Sequence, residues 1–141
     1  MVVHTKKAAY NIVQTSNEIA IAIPPTSLKK PEALNISLPN QSTPISCYHL
    51  DVGNQHLIIS VPEPELQTFP LEEFGHTLQH NPLFPKGVNV SIITYQPKQK
   101  KIKMRIFERG TGLTLSCGSA ALAAFHHTQT LHKVIHSLTI E

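Results

Sequence analysis

The chain has 141 residues, with 12 Lys and Arg against 9 Asp and Glu, 9 His and 2 Cys. A domain of this length buries about 68–70% of the surface its unfolded chain exposes, so it needs no disulfide staples. Two cysteines can neither build a disulfide scaffold nor close a Cys-only zinc site. No apolar run approaches the ~18 residues of a spanning helix, and the start MVVHTKKAAY has no signal-peptide core, which points to a reducing cytoplasm and no membrane. A net charge of +3 on a chain only 15% charged is too dilute for the basic stripe of a nucleic-acid binder.

Eleven prolines and few charges favour short strands and turns over long amphipathic helices. Period-2 alternation recurs along the chain. Ile19, Ile21 and Ile23 share one face of a first run, which Pro24 and Pro25 end. Leu34, Ile36 and Leu38 alternate with polar residues in a second run, closed by Pro39 and Asn40. SCYHLDV and HLIISV are two further strands divided by Gly53-Asn54-Gln55. The period then changes: Leu71, Phe74 and Leu78 stand at helical spacing in PLEEFGHTLQH, and Pro82 and Pro85 stop that helix. GVNVSIITY, a QPKQKK turn and KIKMRIFE form a hairpin, with Ile102, Met104 and Ile106 on one face and Lys103, Arg105 and Phe107 on the other. After the Gly110/Gly112 corner, an Ala-rich helix opens at Cys117-Gly118-Ser119, and VIHSLTIE forms a last strand. These elements describe one α+β domain over residues 1–141, a mostly antiparallel sheet or barrel wrapped round a central apolar helix. The pattern starts and stops abruptly, as in a piece truncated at both ends.

Several side chains could carry chemistry. Cys117 opens a helix, whose first N–H groups are unpaired and whose N-terminus carries about half a positive charge. A thiol placed there is expected to shift toward thiolate, and the same N–H groups can hold a carboxylate. It reads equally as a small apolar helix cap. Glu108 falls on the inward face with Ile102, Met104 and Ile106, where a carboxylate needs partners, unless the strand frays into a solvated turn. Arg109 points to the other face unless the glycine corner turns it back. Asn54 and His56 lie in a loop between strands, where polar groups converge on sites, although Gly-Asn is also ordinary hairpin chemistry. Asn89 is either surface-facing or a buried hydrogen-bonder. His132 and His136 stand at i, i+4, but no carboxylate follows at a useful spacing, so no metal site is expected. The cations of residues 98–105 read as a solvated turn, and Cys47 reads as core.

Three segments, VGNQH at 52–56, NPLFPKGVNV at 81–90 and ERGTGLTLSCGSA at 108–120, together resemble the second domain of diaminopimelate epimerase. The resemblance covers roughly residues 10 to 141. It implies an isomerase of lysine and peptidoglycan-precursor biosynthesis that uses no cofactor and interconverts LL- and meso-diaminopimelate. Two pseudo-symmetric domains each set one cysteine at the start of a central helix. One thiolate removes the α-proton, and the opposed thiol returns a proton to the other face. By this resemblance Cys117 is the second-domain catalytic cysteine. His56 tunes the cysteine of the opposing domain and Glu108 modulates the cysteine pair, while Asn54, Asn89, Glu108 and Arg109 bind substrate. Gly118 and Ser119 match the N–H donors that hold its carboxylate.

The family's first motif, Cys-Gly-Asn-Gly-Ala-Arg, does not occur in these 141 residues, and Cys47 has no glycine after it. Gln55 replaces the usual proline of the turn, which loosens the aim of His56, and Ala120 replaces a second glycine, which crowds the approach to the carboxylate. The Gly-Gly segment usual before the last strand is missing, with His136-Ser137 near there. The chain is thus expected to be inactive by itself and to need a complementary N-terminal domain, or a homodimer setting two Cys117 face to face. A related racemase with another substrate and a non-catalytic binding remnant are the alternatives.

Overall fold

A computed structural model describes residues 1–4, 9–22, 28–38, 42–133 and 137–141. Three short antiparallel strands come first: β1 (Val2–His4), β2 (Ala9–Gln14) and β3 (Ile19–Ala22). They form a sheet of their own on which Val13 and Ile21 remain exposed. Ile23, Pro24, Pro25, Pro39, Asn40 and His136 lie outside the described residues.

The main sheet contains β4 (Glu32–Ile36), β5 (Ile45–Asp51), β6 (Gln55–Ser60), β7 (Asn89–Gln96), β8 (Lys101–Glu108), β9 (Gly112–Thr114) and β10 (Thr139–Ile140). Its order is β10-β8-β7-β6-β5-β4, with β9 paired to β8. Most pairings are antiparallel, and the hairpins follow the turn signals of the sequence. Gly53 adopts φ +101° between β5 and β6, with its N–H donating to Asp51 Oδ1 at 2.9 Å. Lys100 adopts φ +49° after the Pro97–Gln99 turn between β7 and β8.

Two pairings are parallel, β6 with β7 and β8 with β10. Parallel neighbours require a crossover, and each crossover here carries one helix: α1 (Leu71–Gln79) before β7, and α2 (Gly118–His132) before β10. The helices occupy opposite faces because alternate residues of the central strands point opposite ways. Leu57, Ile59, Val90, Ile92 and Phe107 pack with Leu71, Phe74 and Leu78 of α1. Leu50, Ile58, Ile93 and Ile102 pack with Ala123 and Ala124 of α2.

This arrangement amends the expectation of a barrel round a central helix. Over the described residues the sheet is open, and α2 lies on one face of it. Ala120, Ala123, Ala124, His127 and Thr128 are buried, whereas Ala121, Leu122 and Phe125 on the outer side are only half-buried. The α+β character and the largely antiparallel sheet stand as expected. Among the described residues no helix is long and apolar enough to cross a membrane.

Candidate active site

The strand ends that meet the start of α2 carry polar side chains. His56 and Asn89 are direct partners in the β6–β7 register, and both are buried. On β8, Ile102 packs toward α2. Period-2 geometry therefore puts Glu108 on the α2 side as well. Gly112 pairs with Glu108, and the turn between them, with φ +76° at Gly110 and +97° at Gly112, brings β9 back beside it. The Glu108 carboxylate is half-buried, and its Oε1 accepts a 2.7 Å hydrogen bond from Thr114 Oγ1.

Cys117 is the N-cap of α2, in extended conformation, and its side chain makes no capping bond. The first intrahelical bond runs from Ala121 N–H to Cys117 O at 3.0 Å, so geometry leaves the N–H groups of Gly118, Ser119 and Ala120 without helical acceptors. The half-buried Cys117 Sγ lies 3.3 Å from Ser119 Oγ. That hydroxyl lies 3.1 Å from His56 Nε2 and accepts from Asn54 Nδ2 at 3.3 Å. His56 Nε2 also lies 3.0 Å from Asn54 Oδ1. Four of the residues singled out from sequence thus form one hydrogen-bonded string.

Burial pushes the imidazole of His56 down to about 4, only partly opposed by the negative charges of Glu108 and Asp51, and Arg109 pushes the same way as burial. The ring is therefore neutral near pH 7. Gln55, in place of proline, pairs with Asp51 as the first residue of β6, and His56 is held by two polar contacts despite that change. Ala120, in place of the second glycine, is fully buried.

Arg109 takes a different course. Its backbone N–H donates to Asn89 Oδ1 at 3.0 Å, which makes Asn89 a buried hydrogen-bonder. Its guanidinium turns to the α1 side and donates to Lys86 O at 3.0 Å. There it lines the larger cavity, about 880 Å³, with Glu72, His76, Gln79 and Phe107. Cys117 lines a smaller one, about 190 Å³, with Met104, Ile106, Leu115, Ala121 and Glu141. Size and chemistry part company here, and the thiol, not the volume, marks the candidate site.

The remaining candidates are accounted for locally. Cys47 is buried in the core, and burial pushes its thiol up to about 11. Lys101 pairs with Glu141 at 2.7 Å and Lys103 with Glu63 at 2.6 Å. His132 stacks on Tyr95 with ring centroids 4.7 Å apart. Among the described residues no three or more His, Cys, Asp and Glu could together hold a metal ion. The sequence did not reveal Thr114 as the partner of Glu108, nor the hydroxyl of Ser119 as the junction of the string. It also passed over His127, buried against Tyr48 and Ser60.

Fold and site together define an α+β domain with a thiol–hydroxyl–imidazole string at the mouth of a helix. The family model described as Diaminopimelate epimerase matches residues 48–141, and the chain belongs to that family. It is 47% identical over 75 residues to a diaminopimelate epimerase of Bartonella bacilliformis, an alignment covering 53% of this chain and 26% of the relative. To that of Buchnera aphidicola subsp. Acyrthosiphon pisum it is 40% identical over 90 residues, 64% of this chain and 31% of the relative. To that of Wolbachia sp. subsp. Brugia malayi it is 39% identical over 102 residues, 72% of this chain and 37% of the relative. The matched part thus spans only 26–37% of the length of these relatives.

Proposed function

We propose that this chain forms half of a diaminopimelate epimerase site, the half that carries the second catalytic thiol, and that it acts in the cytoplasm in lysine and peptidoglycan-precursor biosynthesis. The observation that carries the reading is Cys117 at the N-cap of α2, beside the Gly118 and Ser119 N–H groups and linked through Ser119 Oγ to His56. In this scheme the substrate α-carboxylate accepts hydrogen bonds from the Gly118 and Ser119 N–H groups. Asn54, Asn89 and Glu108 bind the rest of the substrate, joined by Arg109 once its guanidinium leaves Lys86 O, and His56 and Glu108 adjust the charge state of the thiols.

The α-hydrogen of an amino acid is weakly acidic, so the developing charge must be stabilised where it forms. A thiolate takes the α-proton, the electron pair of the C–H bond moves toward the carboxylate, and the helix N–H groups hold that charge in place. The opposed thiol then gives its proton to the other face of Cα and becomes the thiolate, which completes inversion. The scheme uses no cofactor.

Only one of the two thiols is available here, because Cys47 is buried on β5 and held in its thiol form. The chain alone is therefore expected to be inactive. Addition of a domain bearing the Cys-Gly-Asn-Gly-Ala-Arg motif should restore α-proton exchange on diaminopimelate, read as deuterium uptake in D2O. Exchange that survives Cys117→Ala in the mixture, or no exchange at all, defeats the proposal. A homodimer that sets two Cys117 face to face predicts exchange without any added domain.

A further inference from the structure

We infer that the hydroxyl of Ser119 is a positioning residue that donates its single hydrogen to Cys117 Sγ, so that the thiolate form of Cys117 is held by a hydrogen bond from within its own helix. This rests on the proposed role of Cys117 and deepens it, because the role given to Ser119 toward substrate is that of its backbone N–H alone.

The direction follows from counting hydrogens around four atoms. Asn54 Oδ1 carries none and can only accept. It lies 3.0 Å from His56 Nε2, so the neutral ring must carry its hydrogen on Nε2. That nitrogen can then no longer accept, and at 3.1 Å from Ser119 Oγ its shared hydrogen points to the hydroxyl oxygen. Asn54 Nδ2 also donates to Ser119 Oγ, at 3.3 Å. The oxygen thus accepts on its lone pairs from both neighbours and keeps one hydrogen to give. The atom left for it is Cys117 Sγ, at 3.3 Å. His56 Nδ1 is buried with no hydrogen-bond partner, as suits a bare lone pair better than a buried N–H. The titratable and charged groups around this string are Asp51 from β5, Glu108 and Arg109 from the end of β8, and Glu141 beside Cys117.

The opposite polarity is equally definite. If the Asn54 carboxamide were turned over, Nδ2 would donate to Nε2, the imidazole hydrogen would sit on Nδ1, and the hydroxyl would spend its hydrogen on Asn54. The thiol would then receive nothing.

Two measurements on the full chain decide between them, and neither needs substrate, complementary domain or turnover. The ring nitrogens of His56 in 15N-labelled protein at pH 7 should report the Nε2–H tautomer, and the Nδ1–H tautomer overturns the inference. The second is the rate of carbamidomethylation of Cys117 by iodoacetamide against pH, followed by mass spectrometry. Ser119→Ala should slow it about tenfold at pH 7, since a hydrogen bond to a charged group is lost. Ser119→Thr, which keeps the hydroxyl, should restore the rate. A Ser119→Ala profile that matches the parent overturns the inference. If that variant does not fold, the tautomer measurement on the parent still decides. A chain that passes both tests yet gives no exchange after complementation leaves the string standing and defeats the epimerase reading alone.

Discussion

The ring of His127 packs on that of Tyr48 with centroids 4.6 Å apart, and its Nε2 meets Ser60 Oγ at 3.2 Å. Its Nδ1 is buried without a partner, as is that of His56. Burial brings both imidazoles down to about 4, helped at His127 by repulsion from His132 and His126. In the unfolded chain both titrate near 6.5. Between these values the unfolded state binds protons that the folded state refuses, so stability is full above about pH 6.5 and falls as pH drops toward 4. Each ring is expected to remove about 3 kcal/mol across that window. Urea unfolding at pH 7.5 and 4.5 measures the loss, and His127→Gln should flatten the slope by about half. An unchanged slope would show that His127 is solvated when folded.

The two cysteines should separate cleanly toward thiol reagents. Cys47 is 1% exposed in the core with Ile36 and Leu57, while Cys117 stands half-buried at a helix mouth beside a cavity. Native chain treated with iodoacetamide at pH 8 should be modified at Cys117 alone, and both should react in guanidinium. Rapid native labelling of Cys47 would mean that the β4–β5 edge opens readily.

Much of this is legible in the sequence because the signals are local. Leu71, Phe74 and Leu78 share a helical stripe, and all three are buried in α1. The alternation of SCYHLDV, HLIISV, GVNVSIITY and KIKMRIFE reappears as β5 to β8. Which face of the sheet each helix covers is not legible, since Ile58 and Leu57 are equally apolar and only tertiary packing sends them to α2 and α1. Periodicity misses the first two strands because β1 has only three residues and β2 sets Ile12 and Val13 side by side. At the site, Cys117, His56 and Asn54 are visible as residue types in turns and caps. The Ser119 hydroxyl is not, because its contact with His56 spans 63 positions.

Gly75 lies on the face of α1 that meets β8. A Cβ added there would overlap the ring of Phe107, which is itself buried between helix and sheet. Neither side can yield, so Gly75→Ala should destabilise by about 1–3 kcal/mol, against the slight gain alanine normally brings to a helix interior. Gly118 is the contrast. A Cβ added to it would meet no atom within 4 Å, and its φ is not in the left-handed region. Gly118→Ala should therefore leave the urea midpoint nearly unchanged. A Gly75→Ala chain as stable as the parent would show that α1 can shift away from β8 at little cost.

Arg105 decides how α1 is entered. Its Nη1 donates toward Leu66 O at 2.9 Å and toward Gln67 O and Phe69 O at 3.2 Å each, gathering the carbonyls of the turn that leads into Leu71. Nη1 has two hydrogens for these three carbonyls, so one is shared. The guanidinium carries them on a stem one bond longer than that of a lysine ammonium, which would fall short of the cluster. Arg105→Met leaves those carbonyls to water and should cost about 1.5–3 kcal/mol, with Arg105→Lys recovering only part. The neighbouring Lys103 makes a shorter contact, 2.6 Å to Glu63, but on the open surface, and Lys103→Ala should leave the midpoint almost in place. Salt separates the two further. Sodium chloride at about 1 M screens the Lys103–Glu63 pair, whereas Arg105 holds neutral carbonyls and its effect should persist. A larger loss from Lys103→Ala than from Arg105→Met would reverse this ranking and make the ion pair, not the carbonyl cluster, the anchor of that turn.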